Sequence, residues 1–127
     1  MTPDEISLTL PATKEFHRVA HLVMGGLAVR LDLSFESLED LELALDALLR
    51  RSNGEDVTVR VRVLNGELQT EIGPFTSSVR EELERGGDDD LNLSRILRTV
   101  CDAVEIEERD GEEWVELTKR VDTTGGG

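Results

Sequence analysis

Two histidines one helical turn apart, three consecutive aspartates and a single cysteine are the residues whose types and spacing first suggest chemistry in this chain. His17 and His21 have the spacing of a two-histidine metal face. Arg18, Val19 and Ala20 stand between them, so the glutamate of a zinc protease is absent, and no third ligand lies nearby in sequence. Zinc takes three or four protein ligands, so the pair is expected on an ordinary polar helix face, with no metal. Asp88, Asp89 and Asp90 offer oxygens to a divalent cation, but consecutive positions lack the alternate spacing of a calcium loop, and a solvated acidic loop is expected. Cys101 falls beside an apolar helical stripe with no basic neighbour to lower its pKa, which reads as a small buried hydrophobe and not a nucleophile. None of these residues is expected to be catalytic.

At 127 residues the chain has the length of one domain, read as residues 1–122 followed by a loose tail at 123–127. With 28 acidic and 14 Lys and Arg residues its net charge is −14, which repels nucleic-acid phosphates and anionic membranes. A protein partner with a basic surface would be steered in. No window approaches the ~20 apolar residues of a membrane span. The acidic start MTPDEIS lacks a secretory signal, and one cysteine cannot form an internal disulfide, so a cytoplasmic protein is expected.

The elements that must position these groups are legible from periodicity. Ile6 to Leu10 alternates like a strand and is closed by Pro11. Thr13 can cap a helix with the apolar stripe Phe16, Val19, Ala20, Val23 and Leu27, in which Gly25 and Gly26 mark a kink or a close approach. Ser34 can cap a second helix reaching Arg51, with Leu38, Leu41, Leu45, Leu48 and Leu49 on one face and Glu39, Asp40, Glu42 and Asp46 on the other. Val57 to Leu64 alternates strictly into Asn65-Gly66, a strong two-residue hairpin signal. That turn pairs Val63 with Leu68, Val61 with Thr70, Val59 with Ile72, and Arg60 with Glu71 on the opposite face.

Thr76 to Arg85 reads as a short helix held by Val79 and Leu83 and ended by Gly86-Gly87; Leu93, Ile96, Leu97 and Val100 make another helix stripe. Ala103 to Glu108 and Glu113 to Val121 form a second hairpin about Asp110-Gly111, pairing Ile106 with Val115 and Val104 with Leu117. The same register opposes Glu105 to Glu116 and turns Trp114 outward, where it either anchors a partner or is covered. The order implies an α+β fold, a two-layer α/β sandwich whose mixed, mostly antiparallel sheet carries helices on one face.

The run Asp40-Leu41-Glu42-Leu43-Ala44 within a helix-then-hairpin order resembles the anti-sigma-factor and serine-protein-kinase branch of the histidine-kinase-like ATPases (the Bergerat fold). The likeness extends in element order from Ile6 to Arg120. In that family the helix reads roughly D-L-x-L-A-x-x-E-A-x-x-N, its Glu activating a water and its Asn holding Mg²⁺. The corresponding positions here are Ala47 and Arg51. The adenine-reading D-x-G-x-G turn corresponds to Gly73-Pro74 without its Asp, and Asp90 and Asn92 replace the glycines of the G-L-G-L phosphate motif. Asp88, Asp89 and Asp90 would face a triphosphate, and two like charges 4 Å apart cost about 4 kcal/mol even at an effective dielectric of 20.

These departures imply a degenerate nucleotide site, no cofactor and no enzyme. The resemblance implies regulation of transcription by protein binding, with a sigma factor or a STAS-type antagonist as partner, and a possible homodimer. Arg18 corresponds to the first-helix arginine with which sporulation-type anti-sigma factors contact their partners. The alternatives are an active ATP-dependent serine kinase with an atypical nucleotide site and a repurposed oligomerisation module.

Overall fold

Strand β1 (Glu5–Leu10), helices α1 (Lys14–Arg30) and α2 (Phe35–Leu49), strands β2 (Val57–Leu64) and β3 (Glu67–Phe75), helices α3 (Val79–Arg85) and α4 (Leu93–Val100), and strands β4 (Ala103–Arg109) and β5 (Glu112–Arg120) succeed one another in the computed structural model. It describes residues 5–11, 14–30, 32–51, 55–76, 79–85 and 93–120. The Thr13 cap, Gly86-Gly87, the aspartates at 88–90 and the tail at 123–127 lie outside the described residues.

Both hairpins take the registers their alternation demands. Asn65 and Gly66 adopt φ of 54° and 77°, and Asp110 and Gly111 52° and 80°, the left-handed pair that a two-residue turn requires. Val63 stands opposite Leu68, Val61 opposite Thr70 and Val59 opposite Ile72; in the second hairpin Ile106 meets Val115 and Val104 meets Leu117. A one-residue slip in either would turn every valine to the wrong face.

The strands are ordered β1-β2-β3-β5-β4, and every neighbouring pair is antiparallel. This corrects the mixed sheet expected from sequence. Alternation sets which residues share a face, but not which non-consecutive strands meet or in what sense; here β5, not β4, lies against β3. The buried face carries Val57, Val59, Val61, Leu68, Thr70, Ile72, Val115 and Leu117, which share one core with Leu41, Ala44, Leu45 and Leu48 of α2 and Leu93 and Leu97 of α4. Each fully buried leucine or valine contributes about 1.5–3 kcal/mol relative to exposure.

Ser34 caps α2 as expected, its Oγ accepting the Ser37 backbone N–H at 3.1 Å. Helix α1 buries Ala20 and Leu27 of its expected stripe and packs Val23 against the core, but its contact line is turned slightly. Ala20, Met24, Leu27 and Ala28 are buried, whereas Val19 is 40% exposed. The true contact line therefore runs one position later than the valines suggested. A Cβ at Gly25 or Gly26 would meet nothing within 4 Å, so no close neighbour requires a glycine at either place.

Candidate functional site

At the C-terminal end of α2, Arg51 occupies the place of the family's metal-holding Asn. Its guanidinium forks onto Glu82 of α3, with Nε 3.1 Å from both carboxylate oxygens and Nη2 2.7 Å from Oε1. Nη1 donates to the Ala47 carbonyl at 2.6 Å, which satisfies one of the acceptors left open at the helix end. The Arg51 side chain is 22% exposed and that of Glu82 32%, so the pair is partly withdrawn from water. Arg51 holds the Glu82 carboxyl below the usual carboxylate range, outweighing the opposing effect of burial.

Ala47 is 4% exposed and packed in the core. These two positions do not fit a magnesium ion held in the family's manner. An alanine has no carboxylate, and a guanidinium offers only N–H donors and a positive charge where an oxygen ligand is needed. Asp90 and Asn92 lie outside the described residues.

Helix α3 is also fixed at its start. Glu113 of β5 accepts the backbone N–H groups of Val79 and Arg80 through Oε1, at 2.7 and 3.0 Å. Val79 and Leu83 are buried, as their spacing predicts. Glu82 and Glu113 escaped the sequence reading because their partners lie more than thirty residues away, beyond any local periodicity.

Gly73-Pro74, expected as the remnant of an adenine turn, is instead part of β3, whose pairing with β5 shifts register between Ile72 and Phe75. Gly73 is buried beneath Trp114: a Cβ there would stand 2.6 Å from the indole. Close approach of the ring, on the sheet face away from the core, is thus what requires a glycine. Trp114 is half-buried on the outward face that the register gives it, on a strand inside the sheet, and packing against Gly73 partly covers it, the second of its two expected roles. Arg109 lies over the ring at 5.0 Å and reaches Glu71 at 3.0 Å, Glu107 at 2.8 Å and Glu116 at 3.5 Å.

That arginine answers the like-charge problem set by the register, in which Glu105 does oppose Glu116. Burial would raise the Glu71 carboxyl, but Arg109 and Arg60 bring it below its ordinary value; burial and the neighbouring carboxylates Glu107 and Glu71 push Glu116 up. The Arg60–Glu71 cross-strand pair is present at 3.1 Å. A shallow polar concavity of about 440 Å³ lies over this face, bordered by Arg60, Arg62, Gln69, Glu71 and Glu116, on the other side of the sheet from the α2–α3 junction.

His21, its side chain 38% exposed, joins α1 to α2. From α1 its ring reaches two carboxylates of α2, Nδ1 3.0 Å from Glu42 Oε2 and Nε2 2.8 Å from Asp46 Oδ1. The bond to Asp46 raises its pKa most, and Glu42 adds to this against the effect of burial. The side chain of His17 lies outside the described residues. Arg18 is exposed on α1. Cys101 is half-buried, and burial pushes its thiol up to about 11, in keeping with an inert side chain. Among the described residues no helix is long and apolar enough to cross a membrane.

Comparison with known proteins places this geometry. No family model matches the chain. The serine-protein kinase RsbW of Bacillus pumilus is 27% identical over 87% of this chain and 82% of its own length. The serine-protein kinase RsbW of Listeria monocytogenes is 28% identical over 93% of this chain and 88% of its own, and that of Bacillus subtilis 26% over 85% and 81%. Among solved structures, that of the RsbU and RsbW domains of Rv1364c from Mycobacterium tuberculosis superposes with a TM-score of 0.69 at 11% identity, over 94% of this chain. This chain spans about a third (32%) of that longer one, and the likeness concerns the fold.

The relatives correct one expectation. Ala47, Arg51, Asp90 and Asn92 led to the reading that the chain is no enzyme, yet proteins alike over most of its length are named kinases. Departure from the family pattern at those positions does not remove the chain from a kinase lineage. Over most of its length the chain is a homologue of proteins named serine-protein kinase RsbW, and its fold is that of a solved structure that includes an RsbW domain.

Proposed function

We propose that this protein is a partner-switching regulator of the anti-sigma type that also acts as an ATP-dependent protein-serine kinase, through a nucleotide site built differently from the family pattern. The observation that carries this reading is the extent of the likeness: relatives named serine-protein kinase RsbW match 85–93% of the chain, so α2, α3 and α4 all fall within it. The partners are a sigma factor and a STAS-type antagonist, bound through a surface that includes the exposed Arg18 of α1. A net charge of −14 favours a basic partner surface. Arg51 supplies positive charge at the place where the family pattern sets a metal ligand. The setting is the cytoplasm, and self-association to a homodimer belongs to the same reading.

The test uses the full chain with ATP, Mg²⁺ and the STAS proteins encoded in its own genome. Phosphoserine on a STAS protein, seen by mass spectrometry, is the expected result; its absence with every candidate removes the kinase activity. Capture of a sigma factor or a STAS protein from host lysate is expected in parallel. Recovery of neither sinks the regulatory reading, and Arg18→Ala with unchanged partner affinity removes Arg18 from the binding surface.

A further inference from the structure

Among the described residues, the large apolar side chains left exposed are Val19, Leu22, Val29, Phe35, Leu43 and Leu64, and all but the last lie on α1 and α2. Exposed apolar residues scattered singly are ordinary, whereas a cluster on one face marks a binding surface. Between the C-terminal half of α1 and the start of α2 this cluster borders a groove of about 360 Å³, walled by Gly25, Ala28 and Val29 on one side and by Phe35 and Leu38 on the other. Val29 is 83% exposed and Phe35 74%, so the chain's own core uses neither. We propose that this groove docks an α-helix of another protein, one that carries an apolar stripe flanked by lysine or arginine. The inference stands apart from the kinase reading, since the groove involves neither α3 nor α4.

The shape suits a helix. On α1 the exposed residues Val19, Leu22, Gly26 and Val29 follow one another at alternating steps of three and four, the spacing of a seam between two helices. Gly25 and Gly26 weaken α1 relative to alanine, and nothing in the chain calls for them, as a Cβ at either would meet nothing within 4 Å. Bare backbone at that point lets a second helix approach closely, with Val29 and Phe35 packing between its side chains. Val29 is eleven residues along α1 from Arg18, about 16 Å of helix. The groove is thus a different place from the surface around Arg18.

Charge selects the occupant. Asp32 borders the groove, and α2 carries Glu36, Glu39, Glu42 and Asp46, against Arg18 and Arg30 on α1. Glu39 and Glu42 follow Phe35 and Leu38 by one turn and so continue that wall. Glu42 and Asp46 share the single His21 ring between them. The balance is negative on a chain whose net charge is already −14. A helix with basic flanks is attracted there, while a second copy would bring the same acidic wall to this face and be repelled. Nor do the undescribed stretches of this sequence suit the groove: MTPD at 1–4, SNG at 52–54, GGDDDLN at 86–92 and VDTTGGG at 121–127 carry at most one large apolar side chain each.

The probes are two synthetic helical peptides of about 18 residues with leucine at heptad a and d positions, one flanked by lysine and the other by glutamate. Each is titrated into the full chain and followed by fluorescence anisotropy. Expected are roughly micromolar binding of the lysine peptide and binding of the glutamate peptide about tenfold weaker or less. Val29→Ser and Phe35→Ser are each expected to weaken the lysine peptide about fivefold, while Leu64→Ser, on β2, binds it as the wild type does. Gly26→Ala separates docking from folding: it raises the unfolding midpoint by adding a helix former at an open position, yet weakens the peptide. Equal binding of the two peptides, an equal loss in Leu64→Ser, or unchanged binding in both Val29→Ser and Phe35→Ser overturns the docking site. A wild type that binds neither peptide does the same. A monomer–dimer equilibrium abolished by Val29→Ser gives the groove to a second copy and likewise overturns the proposal.

Discussion

Gly73 shows how one residue can be kept for a reason unlike the one its motif suggests. In the family pattern the glycine after the second hairpin strand belongs to a nucleotide turn. Here its lack of a side chain admits the Trp114 indole to 2.6 Å from where a Cβ would stand. Gly73→Ala is expected to destabilise the protein by about 1–3 kcal/mol, the usual cost of forcing an extra carbon into a packed contact. Denaturant unfolding measures it, and a change within experimental error would disprove the contact. At Cys101, burial pushes the thiol up to about 11, so almost no thiolate exists near neutral pH. A maleimide at pH 7.5 should label native protein at least tenfold more slowly than the urea-unfolded chain, where the pKa returns to about 8.5; equal rates would mean that the thiol is open to solvent. Neither environment is legible from sequence, because Trp114 lies forty-one positions from Gly73 and meets it only when β5 comes to lie beside β3.

Among the elements, the docking of α1 on α2 has its own charge dependence. Both ring nitrogens of His21 face carboxylate oxygens, of Glu42 and Asp46, and a neutral imidazole has a hydrogen for only one of them. The protonated ring donates to both, so its pKa in the folded state lies above the ordinary 6.5. The stabilisation is then fully present below pH 6.5 and is lost as pH rises through the folded-state value. Denaturation at a series of pH values from about 6 to 9 should show a decline in stability that His21→Gln flattens; parallel wild-type and variant curves would show that the histidine is not the cause. The elements themselves were the most legible level: Ser34 as cap, the leucine face of α2 and both hairpin turns follow from local spacing. The rotation of α1 was not. Val19 and Ala20 are adjacent and both apolar, and only the position of α2 decides which of them is buried.

At the scale of the whole molecule, a charge of −14 on 127 residues sets how the protein meets others. Association with a basic partner should weaken by at least tenfold between about 0.05 and 0.5 M salt, mainly through a slower on-rate, because the Debye length falls several-fold over that range. Stopped-flow association with the captured partner measures it, and a salt-independent on-rate would show that the acidic surface plays no part in recognition. Charge, composition and the absence of a long apolar run are sums over the chain, and no fold is needed to obtain them. The hairpin registers are equally local: a two-residue turn and a period of two leave one pairing that buries every valine. The resemblance carried by Asp40, Leu41, Leu43 and Ala44 belongs to the same level, since those residues are contiguous on one helix. Only the tertiary structure decided that β5 lies between β3 and β4, that Trp114 covers Gly73, that His21 bridges two helices and that Arg51 is held by Glu82. Each of those is a meeting of residues far apart in the chain, and sequence spacing carries no information on which distant surfaces will pack together.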